Sequence, residues 1–183
     1  MRRFTVPSSS RGRGSRSVTV VALVVLAGLL VAYGSVALAT PPSGVTTEPI
    51  AKGRFGDIYV KARTDVDPDT RTDFWQALIN TKGSSDLEVL KNTIAPGGSF
   101  GWHSHPGPSL VIVKSGTATF YFANDPTCTP HVVTAGSGFV DSGGDVHVVR
   151  NEGTVDLVTV VASLIPAGAT RRIDEPNPGN CPF

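Results

Sequence analysis

Between Ile58 and Leu164 the chain breaks into short runs rich in Val, Ile, Thr, Phe and Tyr, each bounded by Gly, Pro, Asn or Asp. They are Ile58 to Ala62, Leu87 to Ile94, Leu110 to Lys114, Thr117 to Phe122, His131 to Thr134, Gly138 to Asp141, Val146 to Arg150 and Val155 to Leu164. None sustains a helical period. In Thr117 to Phe122 the polar or amphipathic residues Thr117, Thr119 and Tyr121 alternate with Ala118, Phe120 and Phe122, as in a strand with one buried face. Val111-Ile112-Val113 and Val158 to Val161 are apolar on nearly both faces, which suits central strands. Many short strands with regular turns predict an all-β sandwich or barrel. Only Thr72 to Asn80 (TDFWQALIN) admits a short helix, and 183 residues suffice for one domain with a real core.

Ahead of this region, residues 1–39 carry Arg2, Arg3, Arg11, Arg13 and Arg16 and no acid. An apolar run follows from Val18 to about Tyr33, then small residues ending Ala37-Leu38-Ala39. A basic head, an apolar stretch and a small-residue end form the pattern of a signal peptide, with cleavage expected after Ala39. An uncleaved anchor is the alternative, because Val18 to Ala39 is long enough to span a bilayer. The Arg2-Arg3 pair stands too far from the apolar run to make a twin-arginine signal. Residues 40–54 read as a Pro-, Thr- and Ser-rich linker, 55–168 as the folded domain and 169–183 as a Pro-rich tail. All 15 acidic residues lie beyond Ala39, so the domain is mildly acidic and carries no basic stripe. That excludes nucleic acid as a partner and leaves the membrane only the N-terminal segment. Outside the cytoplasm Cys128 and Cys181 are an even pair where disulfides persist, and a bridge between them is expected to tie the tail to the domain. Two unpaired thiols are the plainer alternative.

Chemistry is concentrated in the histidines. The chain has four, and His103 and His105 are two apart, so on a strand both imidazoles enter one space. His147 opens another predicted strand after the turn Ser142-Gly143-Gly144-Asp145. Two imidazoles from one strand and one from a second make a set that a divalent ion bridges. By itself an HxH pair also occurs as a satisfied polar pair. His131 reads as an exposed strand-end imidazole, Trp102 as core packing on the side opposite His103, and Asn151 as a turn residue bonding local backbone. Tyr121, Asp141 and Arg150 either line a cavity or stand on exposed strand positions.

The spacing around these histidines resembles that of the cupin superfamily. Gly97, His103, His105 and Gly116 fall where its first signature, Gly-x5-His-x-His-x3-Glu-x6-Gly, has its Gly and His positions. Gly136, Gly144, His147 and Asn151 match the second, Gly-x5-Pro-x-Gly-x2-His-x3-Asn. Ser142 stands at the Pro position and Ser109 at the Glu position. The resemblance implies a jelly-roll cupin barrel, the double-stranded β-helix, with one divalent metal (Fe, Zn, Mn, Ni or Cu) on His103, His105 and His147. Gly116, Gly136 and Gly144 then serve turns, Gly116 and Gly144 by a positive φ, and bind nothing themselves.

With serine at position 109, the expected centre lacks a carboxylate and keeps an uncompensated 2+ charge that favours anionic or chelating ligands. It would resemble the three-histidine iron sites of the superfamily's thiol and diketone dioxygenases. Three functions follow as expectations. One is an exported metal-dependent, oxygenase-type enzyme; another is a module outside the cytoplasm that binds a small molecule or metal without turnover; the last is a barrel whose histidines are relics. No catalytic or substrate-binding residue is assigned, and a homodimer is compatible with the strands that are apolar on both faces.

Overall fold

The computed structural model describes residues 39–65 and 74–183, and the expected signal segment lies outside them apart from Ala39. Among the described residues there are twelve strands and no helix. They are β1 (Ser43–Phe55), β2 (Tyr59–Asp65), β3 (Phe74–Asn80), β4 (Ser85–Ser99), β5 (His103–Ser104) and β6 (Ser109–Ser115), followed by β7 (Thr117–Phe122), β8 (His131–Thr134), β9 (Gly138–Asp141), β10 (His147–Arg150), β11 (Leu157–Pro166) and β12 (Ile173–Asp174). Ten of them form one antiparallel sheet, ordered β12-β5-β10-β4-β11-β6-β9, with β1 on β4, β7 on β10 and β8 on β7. The sheet curls into a nearly closed barrel, as the predicted all-β fold requires. β2 and β3 pair only with each other.

Alternation determines which residues face inward. Along β11, Leu157, Thr159, Val161, Ser163 and Ile165 are buried, and along β6 Ser109, Val111 and Val113 are. Burying each large aliphatic contributes about 1.5–3 kcal/mol. β6 is not covered on both faces, because Leu110 and Ile112 point outward and are 61% and 56% exposed. One core cluster joins Ile94, Val113, Ala118, Val149 and Leu157. A second joins Trp102, Tyr121, Val148 and Cys181, which fixes Trp102 as core packing.

Two stretches differ from the sequence reading. Ser43–Phe55, expected as linker up to residue 54, is β1 and pairs along β4 from Ser43↔Ser99 to Phe55↔Ser85. Its side chains are exposed except Val45, so no apolar period marks it. The ladder is reinforced by polar cross-strand contacts, Thr47–Asn92 at 2.8 Å, Glu48–Lys91 at 2.8 Å, Lys52–Glu88 at 2.7 Å and Arg54–Asp86 at 2.7 and 3.0 Å. Phe74–Asn80, where a helix was admitted, is β3 and pairs with β2 from Tyr59↔Asn80 to Asp65↔Phe74. A segment this short does not hold a helix alone, whereas a neighbouring strand satisfies its backbone. Residues 72 and 73 of that expected helix lie outside the described residues.

Turn glycines behave as their positions demand. Gly116, between β6 and β7, has φ +74°, and a Cβ there would meet the Asp156 carbonyl at 2.7 Å. Gly144 has φ +79°, and its N–H donates to the His105 carbonyl at 2.8 Å, joining the two histidine segments. The Cys128–Cys181 bridge is present. It fastens the tail, in which β12 pairs with β5 and Asn180 donates from Nδ2 to the carbonyls of Phe122 and Asp125 at 2.9 and 2.6 Å.

Candidate metal centre

Antiparallel register places His103 of β5 directly opposite His147 of β10. His105 follows two residues later on the same face. The three imidazoles converge, with ring centroids 4.9 Å apart for His103 and His105, 4.4 Å for His103 and His147, and 5.5 Å for His105 and His147. One ring nitrogen of each lies within 4.8 Å of the others. All three residues are buried, at 4, 6 and 5% exposure for His103, His105 and His147.

Their tautomers follow from hydrogen bonding. Nδ1 of His103 faces the Gly101 carbonyl at 2.8 Å, Nδ1 of His105 the Arg171 carbonyl at 2.7 Å and Nδ1 of His147 the Asp145 carbonyl at 2.9 Å. A carbonyl only accepts, so each Nδ1 carries the proton and donates it. In the neutral ring Nε2 is then a bare lone pair. Burial drives His103 to the neutral form, its pKa pushed down to about 2 by desolvation first and then by the charges of His147 and Arg172. Burial also lowers His105, against the opposing pull of the Arg171 carbonyl and Asp141. The site therefore turns the Nε2 atoms of all three rings toward one point, with burial favouring the neutral form of His103 and His105.

The expectation of a carboxylate-free site is corrected by Asp141. Its Oδ2 lies 3.2 Å from His105 Nε2 and 3.6 Å from His147 Nε2, with the side chain 7% exposed. The Gly143 N–H donates to Oδ1 at 2.9 Å, which leaves Oδ2 turned to the imidazoles. Asp141 is the β9 partner of Ser109 on β6, so the carboxylate comes from across the ladder. Ser109 itself is 2% exposed and shares a 2.7 Å hydrogen bond with the Ser163 hydroxyl. Oδ2 facing nearby nitrogen lone pairs is repulsive until a cation stands among them, so the donor set suits a divalent ion with nitrogen and oxygen ligands.

The remaining sequence candidates lie elsewhere. His131 is exposed and stacked on Phe120 at 5.1 Å. The Tyr121 hydroxyl donates to Glu152 at 2.9 Å, and the Arg150 guanidinium lies 3.9 Å from the Phe183 ring centroid. Asn151 is 1% exposed and ties its own turn as expected, Nδ2 donating to the Val155 carbonyl at 2.8 Å and Oδ1 accepting from the Gly153 N–H at 3.0 Å; beyond that expectation, Nδ2 also donates to the Ile94 carbonyl of β4 at 2.8 Å. The histidines open on a small cavity of about 40 Å³ with walls that include Phe100, Val111 and Phe139. Arg171 and Arg172, placed in the tail by the sequence reading, also line it. Adjacent basic residues in a Pro-rich tail carry no pattern that points inward; only the pairing of β12 with β5 brings them there.

Residues 91–163 match the Cupin_2 family, described as cupin domain, and this part of the chain is a cupin domain. No curated protein matches. Among solved structures the chain is similar to a Cupin_2 domain of an XRE family transcriptional regulator from Enterobacter cloacae, at 13% identity, 66% of this chain, 96% of that chain and TM-score 0.40. It is also similar to a cupin superfamily protein from Desulfitobacterium hafniense, at 16% identity, 43% of this chain, 67% of that chain and TM-score 0.38. A third is an uncharacterized protein with a double-stranded β-helix domain from Klebsiella pneumoniae, at 24% identity, 49% of this chain, 75% of that chain and TM-score 0.41.

Proposed function

We propose that this cupin domain works outside the cytoplasm and holds one divalent transition metal on the Nε2 atoms of His103, His105 and His147, with Asp141 supplying the carboxylate. The observation that carries the reading is the commitment of all three Nδ1 atoms to backbone carbonyls, which turns each Nε2 inward as a lone pair. Iron, zinc, copper and nickel suit imidazole, and the carboxylate extends the set to manganese. Such an ion supplies Lewis-acid polarisation of a bound ligand and, when it is iron, oxidation chemistry. The chain's own contribution is to orient the ligands, exclude water with Phe100, Val111 and Phe139, and favour the neutral form of His103 and His105 by burial. We assign turnover of a small molecule of the oxygenase type to this centre; reversible binding is the alternative. The location outside the cytoplasm is supported by the Cys128–Cys181 bridge, since disulfides persist in oxidising compartments.

The test is elemental analysis of untagged protein reconstituted with Fe(II), Zn(II), Mn(II), Ni(II) or Cu(II). One equivalent is expected to bind, and His103→Ala, His105→Ala and His147→Ala are each expected to release it. Asp141→Asn should weaken metal binding about 10–100-fold, the scale for groups that position or complete a metal site. Full retention in any histidine variant removes that residue from the ligand set. Oxygen uptake by the Fe(II) form separates turnover from binding.

A further inference from the structure

The acceptor of His103 is local, but the peptide group that carries it is held from outside the turn. The Gly101 carbonyl accepts from His103 Nδ1 at 2.8 Å, and the N–H of the same planar amide, that of Trp102, donates to Thr40 Oγ1 at 2.6 Å. One end of a rigid plane therefore faces the imidazole, and the other faces a hydroxyl 62 positions earlier in the chain. Fixing the N–H end fixes where the carbonyl points. A hydrogen bond at the N–H also polarises the amide and strengthens its carbonyl as an acceptor.

Thr40 is itself fastened. Its neighbour Ala39 forms a β-bridge with Pro176. Thr40, Glu175 and Trp102 then close a cycle in which each N–H donates to the next residue. Thr40 donates to the Glu175 carbonyl at 3.2 Å, Glu175 to the Trp102 carbonyl at 3.0 Å, and Trp102 to the Thr40 hydroxyl. That hydroxyl is the cycle's one side-chain member. Gly101 permits the approach: it has φ +70°, and a Cβ there would overlap the Thr40 carbonyl oxygen. Trp102 is buried, so loss of the hydroxyl would strip a buried N–H of its acceptor and leave the plane free to turn. Thr40 opens the stretch expected as linker, where the sequence reading assigned it no role. Cleavage after Ala39, the expected point, would keep Thr40 as the first residue of the domain.

We propose that Thr40 is a positioning residue of the metal centre: its hydroxyl holds the Gly101–Trp102 peptide plane, and through that plane the direction of His103 Nε2. The inference rests on the metal-binding reading of the same site and adds the residue that sets one ligand's orientation from the N-terminal side.

The experiment uses the full chain with Zn(II) as the probe. Affinity is measured by competition with a chromogenic chelator. Nitrogen NMR shifts of the histidine rings, read from metal-free protein at neutral pH, report which ring nitrogen carries the proton. Thr40→Val keeps the shape and removes the acceptor. It should weaken Zn(II) about tenfold, the lower end of the range for groups that orient a metal-ligating histidine. It should also move the His103 nitrogens away from the Nδ1–H form while those of His147 stay in place. Thr40→Ser keeps the hydroxyl and should retain both wild-type readouts. Wild-type Zn(II) affinity or unchanged His103 shifts in T40V overturn the proposal. An equal disturbance of His103 and His147 overturns it as well, since that marks a general loss of structure, and so does a T40S variant that behaves like T40V. If T40V does not fold, Thr40→Ala removes the same acceptor and is judged by the same readouts. If the wild type binds no Zn(II), the metal reading fails by itself; the positioning role then stands if T40V shifts His103 alone and falls if it does not.

Discussion

The Cys128–Cys181 bridge spans a sequence separation of 53 and anchors a tail that has its own contacts with the barrel. Glu175 donates its N–H to the Trp102 carbonyl at 3.0 Å, Ser104 Oγ donates to Glu175 Oε1 at 2.8 Å, and Asn180 ties down the Phe122–Asp125 turn. Those contacts do not need the covalent link. Its removal in Cys128→Ala/Cys181→Ala should therefore act mainly on the unfolded chain, which regains the freedom lost in a closed loop. For a loop of this length the chain-entropy relation gives about 4 kcal/mol. At about 2–4 °C per kcal/mol for a domain of this size, the melting temperature should fall by about 8–16 °C. The assay is thermal unfolding of wild type and variant at matched metal loading, because bound metal shifts the midpoint by mass action. Tryptophan emission of the folded variant, read in a Trp75→Phe background, tests the mechanism. Trp102 is 2% exposed and packs with Cys181, so its emission should stay unchanged while the tail remains docked. A drop of less than about 4 °C would refute the entropic account, and a red shift of Trp102 at low temperature would show that the bridge holds the tail in place in the native state.

Asn151→Ala removes three hydrogen bonds and strands the buried Ile94 carbonyl, so urea unfolding should show a loss of about 3 kcal/mol. Asn151→Asp, which keeps the shape but loses both donors, should cost a comparable amount. The metal-free protein should lose stability as pH falls below 6.5. His103 is neutral in the fold, with its pKa pushed down to about 2 from 6.5, so on acidification the unfolded chain takes a proton that the native state refuses. Its contribution is fully present above pH 6.5 and fades toward pH 2, by up to about 1.4 kcal/mol per pH unit. Urea midpoints between pH 7 and 4 check it, and His103→Gln should flatten the slope.

The barrel was legible because its inner strands satisfy two constraints at once. β6 alternates buried and exposed residues and β11 buried and half-buried ones, and the turns between strands carry Gly at positive φ, so period and punctuation agree; β7 departs from its expected alternation, since Thr119 and Tyr121 are buried and Phe120 and Phe122 only half-buried. β1 was not legible because it is held by backbone pairing and polar contacts to β4, neither of which leaves an apolar period. β3 was not legible because its partner, β2, decides its state and its own composition does not. The convergence of the three histidines was legible because their spacing is local to two strands. Asp141 was weighed and left open, since a pattern read along one strand does not reveal what the opposite strand contributes. Serine at position 109 signals the loss of a carboxylate, and only the register Ser109↔Asp141 shows where another one is found.

The same distinction between local and distant sequence runs through the three imidazole anchors. His103 and His147 each donate to the carbonyl two residues before them, Gly101 and Asp145, so those orientations are written into their own turns. His105 has no such local carbonyl and donates to Arg171, 66 residues away in the tail. One imidazole orientation out of three therefore depends on the tail being docked, and the residue after that anchor carries a guanidinium with donors unmet among the described residues. Displacing the segment around Arg171 would remove the acceptor that fixes the His105 tautomer and leave those of His103 and His147 in place. A tail variant that undocks this segment should therefore free the His105 ring alone, and a variant that alters only a side chain there should leave all three rings oriented.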